Sequence, residues 1–202
     1  MRTAAAFTRV RPARRRATKS TKITKNSRPT AVTRSQTPVL RAATAADAHA
    51  IHALIAAHMR EGHLLPRSLE DIEANASRFI VAADRDRLVA CADLAPLSPL
   101  VAEVRSLVVD ESARSKGLGQ QIVNELARRA RVGGFDSLCA FTHGAGYFVR
   151  LGFTIVPHPW IPEKIEADCR TCPHFRHCGQ YAVTLPLAHG VESFVPLASL
   201  HG

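Results

Sequence analysis

Two glycines stand between a strand-like run and an amphipathic stretch. A loop in this position can bind a phosphate group. Residues 106–109 form the end of the run, and Gly117 and Gly119 lead directly into a helical repeat. The N-terminus of a helix carries unpaired N–H groups and about half a positive charge, so a loop that leads into it can hold a pyrophosphate. Arg114 and Lys116 add cations at the rim. The alternative is that the glycines only tighten a turn.

The spacing of this turn separates it from two common phosphate-binding patterns. A dinucleotide fingerprint needs a third glycine, and a P-loop needs Gly-Lys followed by Ser or Thr. Arg114-x-x-Gly117-x-Gly119 resembles instead the acyl-CoA signature of the GNAT acetyltransferases. Residues 103–110 look like the fourth strand of that family, which hydrogen-bonds the pantetheine arm, and residues 146–153 look like its short helix and Gly-Phe strand entry.

This resemblance, over about residues 38–190, implies an acetyl-CoA-dependent N-acetyltransferase. It implies the GNAT fold, which belongs to the α/β (α+β) class. This fold has a mixed, mostly antiparallel sheet of about six to seven strands, flanked by helices and splayed between strands four and five. The implied acetyl-CoA contacts are Leu107, Val108, Val109, Arg114, Ser115, Lys116, Gly117, Leu118, Gly119 and Gln120.

Glu103 and Tyr147 are the predicted catalytic residues. Glu103 stands where the family often has a carboxylate that takes a proton from the amine, and a strand-edge glutamate without that role is the alternative. In many members a tyrosine of the short helix protonates the departing CoA thiolate, but Phe148 stands at that position here. Either Tyr147 reaches the thiolate from a shifted helix, or water and the helix field assist its departure and Tyr147 is a core aromatic.

The substrate end resembles the short, stand-alone relatives of amino-acid N-acetyltransferase, the N-acetylglutamate synthases. Residues 62–72, 103–107 and 168–178 carry this resemblance. It implies an amino acid as acceptor, with L-glutamate, the acceptor in arginine biosynthesis, as the expected one. An α-carboxylate favours a bidentate guanidinium, so Arg67 and Arg105 are predicted substrate contacts, with unliganded surface arginines as the alternative.

The predicted mechanism is sequential. The deprotonated amine attacks the thioester carbonyl directly, while N–H groups of strand four polarise that carbonyl. Cys139, in a strand-like apolar run, is interpreted as a buried residue and not as a nucleophile. Acetylation of another small amine or of a protein N-terminus, and a non-catalytic acyl-CoA-binding protein, remain open.

A cluster of cysteines near the C-terminus has spacing that is compatible with a structural zinc site. Cys169, Cys172 and Cys178, with His174 between them, supply thiolate and imidazole ligands. The spacing lacks the two paired knuckles of a strong zinc signal. A reduced cluster that only packs, or a disulfide between Cys169 and Cys172, is the alternative.

Alternating strand and helix patterns must position these residues. The predicted helices are 44–59, with a Thr44 and Asp47 cap, 68–76, 118–130 and a short one at 146–151. The predicted strands are 39–41, 79–83, 88–94, 101–109, 137–141, 153–156 and 180–185.

The basic charge of the chain is concentrated at its N-terminus. Of the 27 Lys and Arg residues, eleven lie in residues 1–37, which contain no Asp or Glu; the other 16 nearly balance the 17 acidic residues. Residues 1–37 are therefore predicted to be a disordered tail, residues 38–190 the acetyltransferase domain and residues 191–202 a C-terminal tail. The N-terminal tail is a solvated segment, an organelle transit peptide or an arm that binds nucleic acid.

Composition limits the remaining possibilities. The odd number of cysteines, five, argues against a secreted disulfide framework, and no apolar run is long enough to span a membrane. The expected location is the cytoplasm, unless the tail directs import into an organelle. The expected partners are an amino acid and acetyl-CoA, with nucleic acid only through the tail, and a homodimer is open.

Overall fold

The computed structural model describes residues 38–59, 64–85 and 87–187. The predicted basic tail, residues 1–37, and the predicted C-terminal tail, residues 191–202, lie outside the described residues. Within them the helices and strands follow the predicted order, with one further helix after the sixth strand.

The described strands form one mixed sheet of seven strands. In chain order they are β1 (Val39–Ala42), β2 (Phe79–Asp84), β3 (Arg87–Pro96), β4 (Val101–Val109), β5 (Ser137–Thr142), β6 (Thr154–Val156) and β7 (Tyr181–Pro186). Across the sheet the order is β1-β2-β3-β4-β5-β7-β6, and among the described pairs β4 and β5 alone run parallel. The predicted fold class is confirmed.

Five α-helices occur in the described part of the chain. They are α1 (Ala48–His58), α2 (Leu69–Ala74), α3 (Leu118–Val132), α4 (Ala145–Val149) and α5 (Pro162–Ala167). The last of these is not predicted from the sequence, because six residues are too few to show a period; it begins at a proline, which needs no N–H partner there. None of the five is long and apolar enough to cross a membrane.

The helices cover both faces of the sheet. Phe79 and Ile80 are neighbours on β2 and therefore point to opposite faces. Phe79 packs with Ile51 of α1, whereas Ile80 belongs to the cluster that contains Ile122 and Leu126 of α3. The predicted apolar faces of both helices are thus the buried ones, and α1 and α3 lie on opposite sides of the sheet.

The predicted cap is present at α2, whereas Thr44 caps the short 3₁₀ turn Ala45–Asp47 that leads into α1 and not α1 itself. Asp47 accepts hydrogen bonds from the Thr44 N–H at 2.8 Å and from Arg41 at 2.7 Å. The hydrogen bond from Arg41, more than that from Thr44, holds the pKa of Asp47 well below its usual range. Ser68 accepts the Asp71 N–H at 3.1 Å before α2. These contacts fix where each helix leaves the sheet.

β4 and β5 separate soon after they pair. Their parallel pairing joins residues 101–103 with residues 137–139, and β4 then runs on to Val109 without β5 beside it. The register of β4 against β3 shifts between Arg105 and Val108, and Ser106 has a left-handed φ of 50° there. A bulge of this kind bends a strand locally. The sheet therefore opens between β4 and β5, as predicted.

Candidate active site

A cleft of about 1350 Å³ occupies the opening between β4 and β5. Its walls come from β4, from the turn before α3, from α4, and from α5 with the segment after it. Most predicted site residues line it: Arg67, Glu103, Arg105, Leu107, Val108, Val109, Arg114, Ser115, Gly117, Leu118, Gly119, Gln120, Tyr147, Cys169, Cys172 and Cys178. Lys116 and His174 do not line it, and both are exposed.

The turn before α3 has the backbone conformation that its glycines predict. Gly117 precedes the helix with a left-handed φ of 74°, which residues with a β-carbon seldom adopt. Arg114 Nε donates to the Val109 carbonyl at 3.0 Å and ties the turn to the end of β4. The first N–H groups of α3 have no carbonyl one turn earlier to bind. This end of the cleft therefore favours a phosphate.

Tyr147 of α4 reaches this same turn. Its hydroxyl oxygen lies 2.5 Å from the point where a β-carbon at residue 119 would stand. That oxygen is buried, and no described residue donates or accepts a hydrogen bond at it. Burial raises the pKa of Tyr147, against a smaller opposing effect of Arg150, so the phenol keeps its proton. A donor without a partner, next to the first N–H groups of α3, fits a ligand with acceptor oxygens such as acetyl-CoA.

Phe148 is a core residue. Its buried ring meets the rings of Tyr147 and Phe153 edge-on, with centroids 5.3 Å and 5.2 Å apart. These contacts fix the rotation of α4. The helix thereby leaves the Tyr147 hydroxyl at the turn, although the ring of Tyr147 also packs against the core.

Four charged side chains, two of them on β4, form a closed ring of ion pairs. Glu103 accepts hydrogen bonds from Arg105 Nε at 2.5 Å and from Lys164 Nζ at 2.7 Å. Asp168 accepts one from Arg105 Nη2 and pairs with Lys164 Nζ at 2.8 Å. We call Glu103, Arg105, Lys164 and Asp168 the ion ring. Positive and negative charges alternate around it.

Two of the four residues of the ion ring are not predicted as site residues from the sequence. Lys164 and Asp168 have opposite charges four residues apart, which places both on one side of α5. That spacing is the available signal, but it has meaning only once the helix is known. Burial alone would lower the pKa of Arg105; the charges of Glu103 and Asp168 outweigh this effect and raise it.

Arg67 lines the cleft but is already held by two carboxylates. Its Nε donates to Asp71 at 2.7 Å, and its Nη1 and Nη2 each donate to Asp93 at 3.3 Å. Asp93 is fully buried and also accepts from Arg78 at 2.7 Å. All three guanidinium nitrogens of Arg67 are therefore engaged, whereas Arg105 uses Nε and Nη2 in the ion ring. Of the two predicted carboxylate contacts, Arg105 is the better placed.

Three histidines of the cleft wall, His58, His143 and His158, are not predicted from the sequence. His158 lies beside Phe141, with ring centroids 5.4 Å apart, and its Nε2 is buried without a hydrogen-bond partner in the described chain. An unpaired buried polar atom costs about 1–3 kcal/mol, so this nitrogen is a candidate ligand contact. His58 donates from Nδ1 to the Leu54 carbonyl at 2.9 Å, which fixes the orientation of its ring.

The zinc site predicted from Cys169, Cys172, Cys178 and His174 gains no support. The three thiols are free and line the cleft, but His174 is exposed and lies outside its wall. Nowhere in residues 38–59, 64–85 or 87–187 do three or more His, Cys, Asp or Glu side chains gather so as to hold a metal ion. Burial also raises the pKa of Cys169, which favours the thiol over the thiolate that zinc binds.

Cys139 is a buried thiol next to the ion ring. It pairs with Glu103 across β4 and β5 and is fully buried, as predicted. Desolvation, with a smaller contribution from the charge of Glu103, raises its pKa far above the usual range. A thiol that stays protonated is a poor nucleophile, which favours direct transfer over a route through Cys139.

The sequence matches one family of enzymes. The pattern of the acetyltransferase (GNAT) family matches residues 48–153. An uncharacterized N-acetyltransferase of Chlorobaculum tepidum is 32% identical over 148 residues, which are 73% of this chain and 96% of that protein. An amino-acid acetyltransferase of Pseudomonas putida is 30% identical over 122 residues, which are 60% of this chain but only 28% of that protein.

The fold also resembles a solved enzyme. The N-acetylglutamate synthase of Neisseria gonorrhoeae, in complex with coenzyme A and N-acetyl-glutamate, superposes with a TM-score of 0.68 at 25% identity. The match covers 75% of this chain and 35% of the synthase. The similarity therefore concerns one part of a longer protein.

Proposed function

The chain belongs to the acetyltransferase (GNAT) family, and we propose that it acetylates the amino group of a small amino acid, with L-glutamate as the preferred acceptor. One observation carries the proposal: Arg105 and Lys164 lie beside Glu103 in the cleft, both within hydrogen-bond distance of its carboxylate. Two cations next to a carboxylate suit a ligand that brings both a carboxylate and an amine. On this proposal the product enters arginine biosynthesis.

The co-substrate is acetyl-CoA, which supplies the acetyl group as a thioester. In the proposed arrangement the Gly117 turn and the N-terminus of α3 bind its pyrophosphate. Beyond Glu103, β4 has no strand beside it on the side of β5, so N–H groups on that edge lack sheet partners. These groups would hydrogen-bond the pantetheine arm and polarise the thioester carbonyl.

Two residues move protons in the proposed reaction. The amine nitrogen attacks the thioester carbon, and Glu103 takes the proton of the amine, directly or through water. As the carbon–sulfur bond breaks, the Tyr147 hydroxyl donates a proton to sulfur. The hydroxyl has no hydrogen-bond partner in the described chain, so its proton has no competing acceptor. Because it lies beside Gly119, at the proposed phosphate end, the Tyr147 side chain must turn towards β4 to reach the sulfur.

An acceptor screen tests the substrate class. Purified enzyme with acetyl-CoA would be given glutamate, glutamine, glutamate α-amide, spermidine and a peptide with a free N-terminus, and released CoA would be measured with a thiol reagent. We expect the highest kcat/KM for glutamate and a large loss for the α-amide, which keeps the amine but lacks the α-carboxylate.

Two outcomes would contradict the proposal. A preference for spermidine or for the peptide would overturn the amino-acid acceptor and leave the family membership intact. CoA binding without release with any amine would instead favour an acyl-CoA-binding protein.

A further inference from the structure

Asp168 differs from its counterpart Glu103 within the ion ring. The Glu103 side chain is 4% exposed, whereas that of Asp168 is 39% exposed. Glu103 sits in the middle of β4, paired with neighbours on both sides, whereas Asp168 follows the last residue of the short helix α5. One carboxylate is therefore fixed in the sheet, and the other is held mainly by its ion pairs at the cleft surface.

Asp168 binds the two cations that the proposed acceptor needs. Its carboxylate contacts Arg105 Nη2 and Lys164 Nζ, and all three residues line the cleft. A carboxylate bound by one guanidinium and one ammonium has the contacts that the α-carboxylate of an amino acid would seek.

We propose that Arg105 and Lys164 form the acceptor-carboxylate site and that Asp168 is a resident carboxylate, which the acceptor displaces when it binds. This inference rests on the proposed function. Asp168 thus sets the affinity for the acceptor, because every molecule that binds must first compete with it.

Replacing Asp168 by the carboxylate of the acceptor costs little free energy, because the charge balance of the site is kept. The ion ring holds two positive and two negative charges, and replacing Asp168 by an incoming carboxylate keeps that balance at the cations. Asp168 is partly exposed, so water stabilises the released carboxylate and its ion pairs are weaker than those of Glu103. Displacing Glu103 would be costly, because its buried charge would lose both partners. Glu103 therefore stays in place for the amine.

The substitution Asp168→Asn tests the inference, since it keeps the size of the side chain and removes its charge. Arg105 and Lys164 then face only Glu103, and the site gains one positive charge. We expect the KM for glutamate to fall roughly two- to fivefold, the scale of a half-exposed ion pair, with the KM for acetyl-CoA unchanged. An unchanged or higher KM for glutamate would overturn the inference.

Glu166→Gln is the matched control. Glu166 is also acidic and on α5, but it is exposed, pairs with Arg170 and does not line the cleft. This variant should keep the wild-type KM for both substrates. A fall in the glutamate KM in both variants would indicate a general charge effect and would also overturn the inference.

Glutarate separates this inference from the proposed function. It carries carboxylates but no amine, so its inhibition constant can be measured against whichever acceptor the wild-type enzyme uses. If the enzyme prefers a carboxylate-free amine, the proposed function fails, yet tighter inhibition by glutarate in Asp168→Asn would still support the resident carboxylate. Equal inhibition of both proteins would reject it, whatever the acceptor.

Discussion

The hydroxyl of Tyr147 and the α-carbon of Gly119 are so close that no side chain fits between them. A β-carbon at residue 119 would stand 2.5 Å from the hydroxyl oxygen, 3.4 Å from Tyr147 Cζ and 3.6 Å from a methyl group of Val109. The missing side chain at Gly119 therefore makes room for Tyr147, the proposed proton donor, in addition to the access to the backbone that we propose it gives phosphates.

Gly119→Ala is expected to displace the Tyr147 hydroxyl and lower kcat by roughly tenfold or more, a part of the about 10²–10⁴-fold that general acid catalysis contributes. Alanine favours helix, so the melting temperature should change little. Gly146→Ala is the control, because a β-carbon there meets only the end of Arg150 at 3.8 Å. Equal activity of both variants would show that the hydroxyl position does not matter.

Tyr147→Phe removes the proposed acid and keeps the ring. We expect kcat to fall while the KM for acetyl-CoA stays near that of the wild type, in steady-state kinetics. Because burial raises the pKa of Tyr147, the wild-type hydroxyl should keep its proton up to and beyond the usual tyrosine pKa of about 10. Acid assistance is thus lost only above that pH, and an earlier alkaline decline that disappears in Tyr147→Phe would contradict the buried, protonated phenol.

Gly117→Asp should weaken acetyl-CoA binding much more than it destabilises the fold, because a carboxylate would repel the pyrophosphate. Gly134→Asp is a matched control: Gly134 follows the other end of α3, with a φ of 80° against 74° at Gly117, and has open space around it. Both variants carry similar backbone strain. Calorimetry should therefore show lost affinity in Gly117→Asp alone, and equal affinities would exclude the turn as the phosphate site.

His158→Phe tests whether the buried Nε2 awaits the acceptor. Removing an unpaired buried polar atom should leave the melting temperature unchanged or raise it, since that atom costs about 1–3 kcal/mol when unsatisfied. The KM for the acceptor should rise while the KM for acetyl-CoA stays constant. A large drop in melting temperature would assign His158 to the fold, and normal kinetics would remove it from the acceptor site.

Removal of residues 1–37 should leave catalysis intact, because every described residue that lines the cleft lies at or after His58. The measurement is kcat/KM of the truncated protein. If the segment binds nucleic acid, its removal should also abolish salt-dependent binding to RNA or DNA. Lost turnover in a folded truncation would move the proposed domain boundary towards the N-terminus.

The conformation of the turn before α3 is predictable because it is local in sequence. Val109, Arg114, Gly117 and Gly119 lie within one strand–turn–helix unit, so their spacing already determines their arrangement. The alternation of apolar residues likewise predicts which faces of α1 and α3 are buried. In both cases the determining contacts join near neighbours.

The acceptor end is harder to predict because distant segments assemble it. Lys164 lies 61 residues after Glu103, and Arg67 lies 26 residues before the Asp93 that holds it. The predicted role of Arg67 takes no account of that partner, since sequence spacing does not show which charges are already paired. The zinc prediction relies on spacing in the same way, and spacing does not say that His174 is exposed at a turn.

The position of β7 between β5 and β6 has a consequence for synthesis on the ribosome. β6 ends at Val156, but its described partner, β7, begins only at Tyr181. In a nascent chain that does not yet include β7, β5 thus has one unpaired edge and β6 has no partner strand among the described ones. Such edges invite aggregation. Translation that stops shortly before residue 181 should therefore yield an incomplete sheet that needs chaperones, although most of the cleft wall has already been made.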